Sequence, residues 1–324
     1  MMDKSLRLIN LIVKERLEER LVTEYLIGTG GWTYFNAQNK SPLRAYSEIF
    51  NFVEVNYTFY EYPETKRVEH WRRSVPKDFT FTVRCHQDLT HRIGLRPVEE
   101  AYTVCNRMIS FCRILDAPFL VLETPQSYVL NEEKIELARE FLSAIDLHGI
   151  RLAWEIRSET TMKAIELLQD FNIIHCVDLS KEEPSFKSDI IYTRLFGKGK
   201  HNVYQFTDEE LVDLDKKILK SEARVASLSY HGVRMNTDAI RFKQYKDTGV
   251  FPSITSFTGI DSARQVMSED AKFPSSKTEL IEHQGWKVID LTSSKRVHLS
   301  ELLSKIPEGT YSDLDQVVQM LETQ

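Results

Sequence analysis

The sequence predicts an α/β protein: a TIM (β/α)8 barrel with one irregular connection after the sixth strand, an N-terminal helix and a small, mainly helical C-terminal domain. Three observations predict this fold. Short apolar runs alternate with longer amphipathic patterns between residues 25 and 250, eight such runs occur, and polar residues stand where the runs end. The alternation is typical of a parallel sheet with helices outside it, and eight strands favour a closed barrel over an open, doubly wound sheet.

The first predicted element precedes the barrel. Residues 1–24 carry apolar side chains, among them Leu6, Ile9 and Leu17, at helical spacing between charged residues, which predicts a helix packed on the main body. The eight strands are expected, in chain order, within "EYLIGTG", "FVEVNYTFY", "FTFTVRC", "PFLVLETP", "IRLAWEIR", "NIIHCVDL", "IIYTRLFG" and "ARVASLSYHG". After the sixth strand, "SKEEPSFKS" is too short and too proline-interrupted for a full helix, so a loop is expected there.

A change of pattern near residue 250 predicts a separate domain over residues 251–324, which leaves residues 25–250 to the barrel. Four short helical segments are expected in this domain, "GIDSARQVMSEDAK", "SSKTELIEHQG", "HLSELLSKI" and "SDLDQVVQML", with one strand-like piece, "WKVIDL". Acidic residues outnumber basic ones in this segment. It is therefore not a basic tether for nucleic acid.

Composition indicates a cytoplasmic protein without a membrane partner. The 324 residues are 42% hydrophobic, and no apolar stretch reaches the ~18 residues of a membrane helix. The charged N-terminal segment is unlike a secretory signal. Four cysteines without CxxC spacing predict reduced thiols in a core and exclude a zinc knuckle. The formal net charge of -6 argues against a surface coated for nucleic acid, although a local basic groove stays open.

Polar residues at the strand ends predict where the chemistry lies, because a TIM barrel builds its active site at the C-terminal ends of its strands. On the second strand, Glu54, Asn56 and Thr58 alternate with apolar residues, so a continuous strand would place all three on one face. The other polar residues at or just beyond strand ends are Arg84, His86, His91, Glu123, Glu155, Arg157, Asp178, Arg194, Lys198 and His231.

Two interpretations of these strand ends stay open. Charges at the ends of apolar strands are unfavourable unless they are paired, hydrated or bound to a ligand, so together they predict a polar cup in the barrel mouth. The alternative is a structural salt-bridge network. In that network the carboxylates at the ends of strands four and five are satisfied by the arginines of strands three, five and seven.

The kind of ligand follows from the mixture of charges. Three arginines share the rim with carboxylates and histidines, and their positive charge disfavours a divalent ion while it favours an anion. We therefore expect an anion site with no cofactor, and a divalent metal held by the carboxylates and histidines stays an open alternative. Lys198 lies in "FGKGKHN" after the seventh strand, where barrels often hold phosphate, and a solvated loop is the alternative. "GTGG" is not a dinucleotide fingerprint, because Thr33 stands where its last glycine would fall.

Several motifs occur in the order found in one known family. "IGTGGWTYF", "FVEVNYTFYEYPETKRVEHW", "AWEIRSET", "CVDLS", "YTRLFG" and "LSYHG" resemble the YecE-like family, the domain of unknown function numbered 72, over about residues 25–248. The resemblance implies a TIM barrel with a pocket at its rim and no established activity. It marks Gly28, Gly31, Trp32, Glu54, Asn56, Thr58, Phe59, His91, Glu155, Arg157, Asp178, Tyr192, Arg194 and His231. The sequence departs from the family pattern at Phe196, where many members have histidine, at Arg84, where lysine is usual, and at "VLETP", which contains Glu123.

These observations together predict an enzyme of hydrolase or isomerase type that acts on a small phosphorylated or polyhydroxylated substrate. The expected catalytic residues are Glu54, Glu155, His91, His231 and Asp178. The expected substrate-binding residues are Asn56, Thr58, Arg84, Arg157, Tyr192, Arg194, Gly28, Gly31, Trp32 and Lys198. Glutamate would act as the general base and histidine would exchange a proton near neutral pH. Two alternatives stay open: a nucleic-acid-binding or phosphodiester-cleaving protein, and a non-catalytic binding or assembly module.

Overall fold

A computed structural model describes residues 23–33, 35 and 40–323. The helix predicted for the N-terminal segment falls on residues 1–22, which lie outside the described residues. Glu24, the last residue of that prediction, belongs to the first strand of the sheet.

Eight parallel strands form one sheet. They are β1 (Glu24–Thr29), β2 (Phe52–Val55), β3 (Thr80–Arg84), β4 (Phe119–Thr124), β5 (Arg151–Ile156), β6 (Ile174–Cys176), β7 (Ile190–Leu195) and β8 (Val225–Tyr230). Their order in the sheet is β6-β5-β4-β3-β2-β1-β8-β7. A parallel bridge between Val177 and Thr193 joins the two ends of this order, so the sheet closes into a TIM-like barrel, as predicted.

Helices alternate with the strands. They are α1 (Pro42–Ser47), α2 (Tyr57–Tyr60), α3 (Thr65–Arg73), α4 (Glu99–Leu115), α5 (Glu132–Ser143), α6 (Met162–Asp170), α7 (Asp208–Ser221) and α8 (Met235–Thr248). The helices α1, α5 and α6 begin after Ser41, Asn131 and Thr161, whose side chains each accept a backbone N–H of the first turn. Residues 177–189, between β6 and β7, contain no helix, which confirms the predicted loop.

The second strand is shorter than predicted. It ends at Val55, and α2 follows at once, so Glu54, Asn56 and Thr58 do not share the face of one continuous strand. The Thr58 hydroxyl oxygen lies 2.7 Å from the carbonyl oxygens of both Val55 and Arg84, and it donates its single proton to one of them at a time. Both contacts favour the helical turn over an extended chain. The contact with Arg84 depends on β3, and the local periodicity of the sequence gives no information about such a neighbouring strand.

The described chain divides into two compact units. One contains the residues up to Arg194 together with Lys216–Ser229, and the other contains Leu195–Asp215 and the chain from Tyr230 onwards. The domain boundaries expected at residues 24 and 250 stay a prediction.

The second unit continues with short elements after α8. They are α9 (Gly259–Met267), β9 (Ser275–Ser276), α10 (Lys277–Gln284), β10 (Val288–Thr292), β11 (Lys295–His298), α11 (Ser300–Leu303), β12 (Thr310–Tyr311) and α12 (Leu314–Glu322). The predicted strand "WKVIDL" corresponds to β10, but it has an antiparallel partner, β11, and β9 pairs with β12. A single strand was therefore the wrong expectation. In β11, Arg296 is buried and forms an ion pair with Asp290 at 2.9 Å.

Two further sequence expectations can be compared with the described chain. None of its helices is both long and apolar enough to cross a membrane. The four cysteines are free and buried, as predicted.

Candidate active site

Strand periodicity builds the candidate site one layer above the apolar interior of the barrel. Side chains two residues apart on a strand point to the same side. An apolar layer inside the barrel includes Phe52, Val121, Ala153 and Tyr192. The next inward positions on the same four strands, towards their C-terminal ends, are Glu54, Glu123, Glu155 and Arg194. The polar residues therefore replace the next layer of the core at the end of the barrel where active sites are built.

Six charged side chains from five strands form what we call the ionic cluster. Its members are Glu54, Arg84, Glu123, Glu155, Arg157 and Arg194. Three carboxylates are thus matched by three guanidinium groups. Among the described residues, no group of three or more His, Cys, Asp or Glu side chains is arranged to hold a metal ion.

Arg194 occupies the centre of the ionic cluster. Its side chain is only 1% exposed, and its Nε donates to Glu54 Oε1 at 3.1 Å. Its Nη1 donates to both Glu123 and Glu155. Burial alone would lower the pKa of Arg194, but the three carboxylates raise it well above its usual value. The central guanidinium therefore keeps its charge at every physiological pH.

Arg84 forms a second, buried side of the cluster. Its Nη2 donates to Glu123 Oε2 at 2.5 Å, and its Nη1 donates to the Asn56 side-chain oxygen. The guanidinium lies over the Phe59 ring at 3.6 Å from the ring centroid, which is a cation–π contact. Within the described part of the chain, Arg84 Nε has no hydrogen-bond partner. A buried N–H group without an acceptor is unfavourable. Arg84 Nε is therefore a donor that could still bind a further acceptor, such as an oxygen atom of a ligand.

Arg157 and Glu155 form the solvent side of the cluster. The Arg157 side chain is 40% exposed, and its guanidinium bonds Glu155 at 2.9 Å and Glu123 at 3.0 Å. The Glu155 side chain is 12% exposed. Burial alone would raise the pKa of Glu155, but Arg194 and Arg157 lower it below its usual value. Glu155 is therefore ionised at neutral pH and accepts hydrogen bonds.

A hydroxyl chain supports Glu54 from below. Tyr192 donates its hydroxyl to Glu54 Oε2 at 2.9 Å, and the same hydroxyl is 2.8 Å from Thr82 Oγ1. All three residues are fully buried. Burial first, and then the Glu54 charge, raise the pKa of Tyr192 well above its usual value, so the phenol stays neutral and keeps donating. Glu54 is consequently fixed by two donors, Tyr192 and Arg194.

His91 lies at the edge of the ionic cluster. It belongs to a π-helix, Asp88–Ile93, that the sequence did not reveal, and its Nδ1 is 2.9 Å from Thr90 Oγ1. Its ring meets Phe59 edge-on at 5.1 Å. Burial lowers the pKa of His91; Glu123 opposes this shift, whereas Arg84 and Arg157 add to it. The imidazole is therefore neutral at pH 7 and able to accept a proton.

Other residues predicted for the site have structural contacts in the first unit. A Cβ on Gly28 would meet the Phe52 carbonyl oxygen at 1.9 Å, so this glycine permits close packing of β1 on β2. Gly31 has a φ of 118°, which favours glycine. Trp32 packs edge-on against Trp71 at 5.3 Å. Thr58 anchors α2 as described above.

Three further predicted site residues, Asp178, Lys198 and His231, contact residues that do not belong to the ionic cluster. The Asp178 carboxylate accepts from the Ser180 hydroxyl at 2.6 Å and lies 3.3 Å from the Lys181 ammonium. Lys198 and His231 belong to the second unit, where Lys198 pairs with Glu210 at 2.9 Å. His231 stacks on Phe196 at 4.9 Å.

Three residues near the ionic cluster were not among the predicted site residues. Glu123 was seen at a strand end but departs from the family pattern, and its partners show that it belongs to the cluster. Thr82 precedes Arg84 by two residues on β3, so strand periodicity would have found it. Tyr60 is 58% exposed and meets Phe59 edge-on at 4.9 Å. No local pattern distinguishes it.

The sequence model of the family described as "Protein of unknown function DUF72" matches residues 26–242. No curated protein matches the chain. The fold is similar to that of a DUF72 family protein from Thermotoga maritima, with 20% identity, a TM-score of 0.57, and 69% of this chain and 99% of that chain covered. It is also similar to a DUF72 family protein from Enterococcus faecalis, with 13% identity, a TM-score of 0.54, and 70% and 99% covered. Because the family model spans more than half of the 324 residues, the chain belongs to the DUF72 family of proteins of unknown function.

Proposed function

We propose that this protein is an enzyme that binds a small phosphorylated or polyhydroxylated substrate at the solvent side of the ionic cluster. One observation carries the proposal. Of the six charged side chains of the cluster, Arg157 is the most exposed, at 40%, while Glu54, Glu123 and Arg194 are almost completely buried. The cluster therefore offers a charged, fixed surface to solvent at the C-terminal ends of the strands.

The buried charges support function more than stability. Desolvation of ion pairs offsets much of their attraction, so well-packed apolar residues often stabilise a core as well as a buried salt-bridge network does. The exposed guanidinium, however, gains a fixed orientation from Glu155 and Glu123. Preorganised charges of this kind stabilise developing charge without reorganisation during a reaction.

Each accessible residue receives a role in this proposal. Arg157 binds a phosphate or a hydroxyl oxygen of the substrate, and the ionised Glu155 accepts a hydrogen bond from a substrate hydroxyl. His91 acts as the general base, since its lowered pKa keeps it neutral at pH 7. Glu54 is a positioning residue, because Tyr192 and Arg194 occupy both of its oxygens. The exposed ring of Tyr60 offers an apolar face to a sugar ring.

The test compares Arg157→Gln with Arg113→Gln, a control on the exposed side of α4. Ligand-induced changes in melting temperature are measured against a panel of sugar phosphates, polyols and inorganic phosphate, since a ligand that binds the native state raises its melting temperature. We expect at least one phosphorylated ligand to stabilise the wild type and the Arg113 variant but not the Arg157 variant. Equal stabilisation of all three proteins would contradict the proposal.

The two alternatives from the sequence remain predictions. Short single-stranded and double-stranded DNA and RNA are included in the same panel. The nucleic-acid alternative would be favoured if no small molecule raises the melting temperature and if the protein binds nucleic acid with an affinity that falls steeply as the salt concentration rises.

A further inference from the structure

The outer face of β6 and β7 contains a cavity that is separate from the ionic cluster. A cavity of about 270 Å³ is lined by residues of β6, β7, α7 and the loop of residues 177–189. All of these lining residues belong to the first unit. A TIM barrel normally covers such a position with a helix after each strand, and this connection has none. The cavity therefore follows from the missing helix.

The walls of this outer cavity are mainly apolar. Leu179, Pro184 and Phe186 of the loop and Ile191 of β7 line it. The cavity volume corresponds to about nine water molecules, at about 30 Å³ each in the liquid, or to a molecule of about nine non-hydrogen atoms. Its size and lining are those of a site for a small, largely apolar ligand.

His175 adds a polar group to the wall. It alternates on β6 with Ile174 and Cys176, which belong to the barrel interior, so it lies on the outer face. Its Nδ1 accepts the Ser185 N–H at 3.0 Å. Burial lowers the pKa of His175 to about 4, so the ring is neutral and carries its proton on Nε2. The ring is thus a hydrogen-bond donor next to the cavity.

Charge identifies the polar end of the ligand. The cavity is lined by three lysines, Lys187, Lys217 and Lys220, and by one acidic residue, Glu183. Lys220 and Lys187 are exposed. Lys187 already pairs with the exposed Glu222 at 3.5 Å, and Lys217 donates to the Leu179 carbonyl at 3.0 Å. A ligand with an apolar chain and one negative charge would therefore place its chain between the apolar walls and its charge mainly against the exposed Lys220.

We propose that this outer cavity is a second ligand site that binds a free medium-chain carboxylate. The chain length follows from the volume, and octanoate, with ten non-hydrogen atoms, is a probe of about the right size. The carboxylate follows from the exposed Lys220, from the excess of lysines over acidic residues in the lining, and from the histidine donor. The site is independent of the proposed function, because none of its lining residues belongs to the ionic cluster.

Isothermal titration of the 324-residue chain with octanoate, 1-octanol and butanoate tests the proposal. We expect saturable octanoate binding with one site. Butanoate should bind more than about tenfold more weakly, because each buried CH₂ contributes up to about 0.8 kcal/mol, which is about fourfold in affinity. Octanol keeps the chain but lacks the charge, so it should bind more weakly than octanoate.

Lys220→Ala and Lys216→Ala form a matched pair on α7. Both lysines are exposed, but only Lys220 lines the cavity. Lys220→Ala should weaken octanoate binding by up to about fivefold, the range of an exposed ion pair, and leave octanol binding unchanged. Lys216→Ala should change neither. No saturable binding, equal affinities of octanoate and octanol, or equal effects of the two lysine variants would overturn the proposal. Loss of octanoate binding in Arg157→Gln would place the ligand at the ionic cluster instead and would also overturn it.

Discussion

At the scale of single residues, Arg194 shows how buried charge is held in this protein. Its guanidinium touches Glu54, Glu123 and Glu155, which come from three different strands. Strand periodicity predicts that each of these side chains faces inward, and all of them stand at strand ends in the sequence. The salt-bridge alternative expected the carboxylates of strands four and five to pair with the arginines of strands three, five and seven, and they do. It did not name Glu54 as a partner of Arg194, because these two residues are 140 residues apart and meet only when the barrel closes.

Replacing Arg194 tests the energetic role of this centre. Arg194→Gln should lower the free energy of unfolding by about 3–5 kcal/mol, because it leaves three buried carboxylates without their shared partner. Arg157→Gln removes a half-exposed guanidinium and should lower it by less than about 1 kcal/mol. Urea unfolding followed by circular dichroism measures both. Equal effects of the two variants would argue against a desolvated central charge.

At the scale of elements, the strands were predicted better than the segments that follow them. The residues after Val55 alternate in polarity as a strand does, yet they form α2 because Thr58 bonds the end of β3. The π-helix that carries His91 has no recognisable local pattern either. Local periodicity reports only which side chains are buried on one element. The hydrogen bonds that end a strand come from its neighbours.

Asp189 provides a pH test at the N-terminal ends of the strands. It pairs with Arg151 on β5 and with Arg224 just before β8, both at 2.6 Å. The hydrogen bond from Arg151, helped by that from Arg224, lowers the pKa of Asp189 from 3.8 to about 2. Because the pKa is lower in the folded state, the stabilisation is fully present above the unfolded-state pKa and is lost as the pH falls towards 2.

Asp189→Asn should therefore lower the free energy of unfolding by about 1 kcal/mol at pH 7, a value discounted for the exposure of both ion pairs. The difference from the wild type should shrink between about pH 4 and pH 2. Urea titrations across this range provide the measurement. A difference that stays constant, or that grows as the pH falls, would show that the two ion pairs do not stabilise the fold.

At the scale of the whole molecule, buried ion pairs join the C-terminal segment, residues 251–324, to residues that precede it in the sequence. In the second unit, Asp208 pairs with Arg241 at 2.6 Å and with Arg296 at 3.1 Å. Arg296 also bonds Asp290 at 2.9 Å. The change of sequence pattern near residue 250 does not predict these ion pairs, because Asp208 and Arg296 are far apart along the chain.

Arg296→Gln should consequently destabilise the protein strongly, by about 3–5 kcal/mol, because Asp208 and Asp290 lose a buried partner. Arg264→Gln is the control in the same segment, since Arg264 pairs with the exposed Asp315, and it should change stability by less than about 0.5 kcal/mol. Thermal and urea unfolding of both variants measure these two losses in the free energy of unfolding. Similar stability of the two variants would favour a C-terminal segment that folds independently of residue 208.

The sequence by itself determined the barrel, its eight strands, the loop after the sixth strand and the inward position of most of the charged residues. These features depend on a period of two along a strand and on the alternation of strands with helices, and both are local properties. The tertiary structure decided that Glu123 joins the ionic cluster and that Gly28 and Trp32 form close packing contacts. It also placed Arg194 among three carboxylates. Each of these outcomes requires distant strands to meet, and the free energy of burying a charge depends on the partner found there.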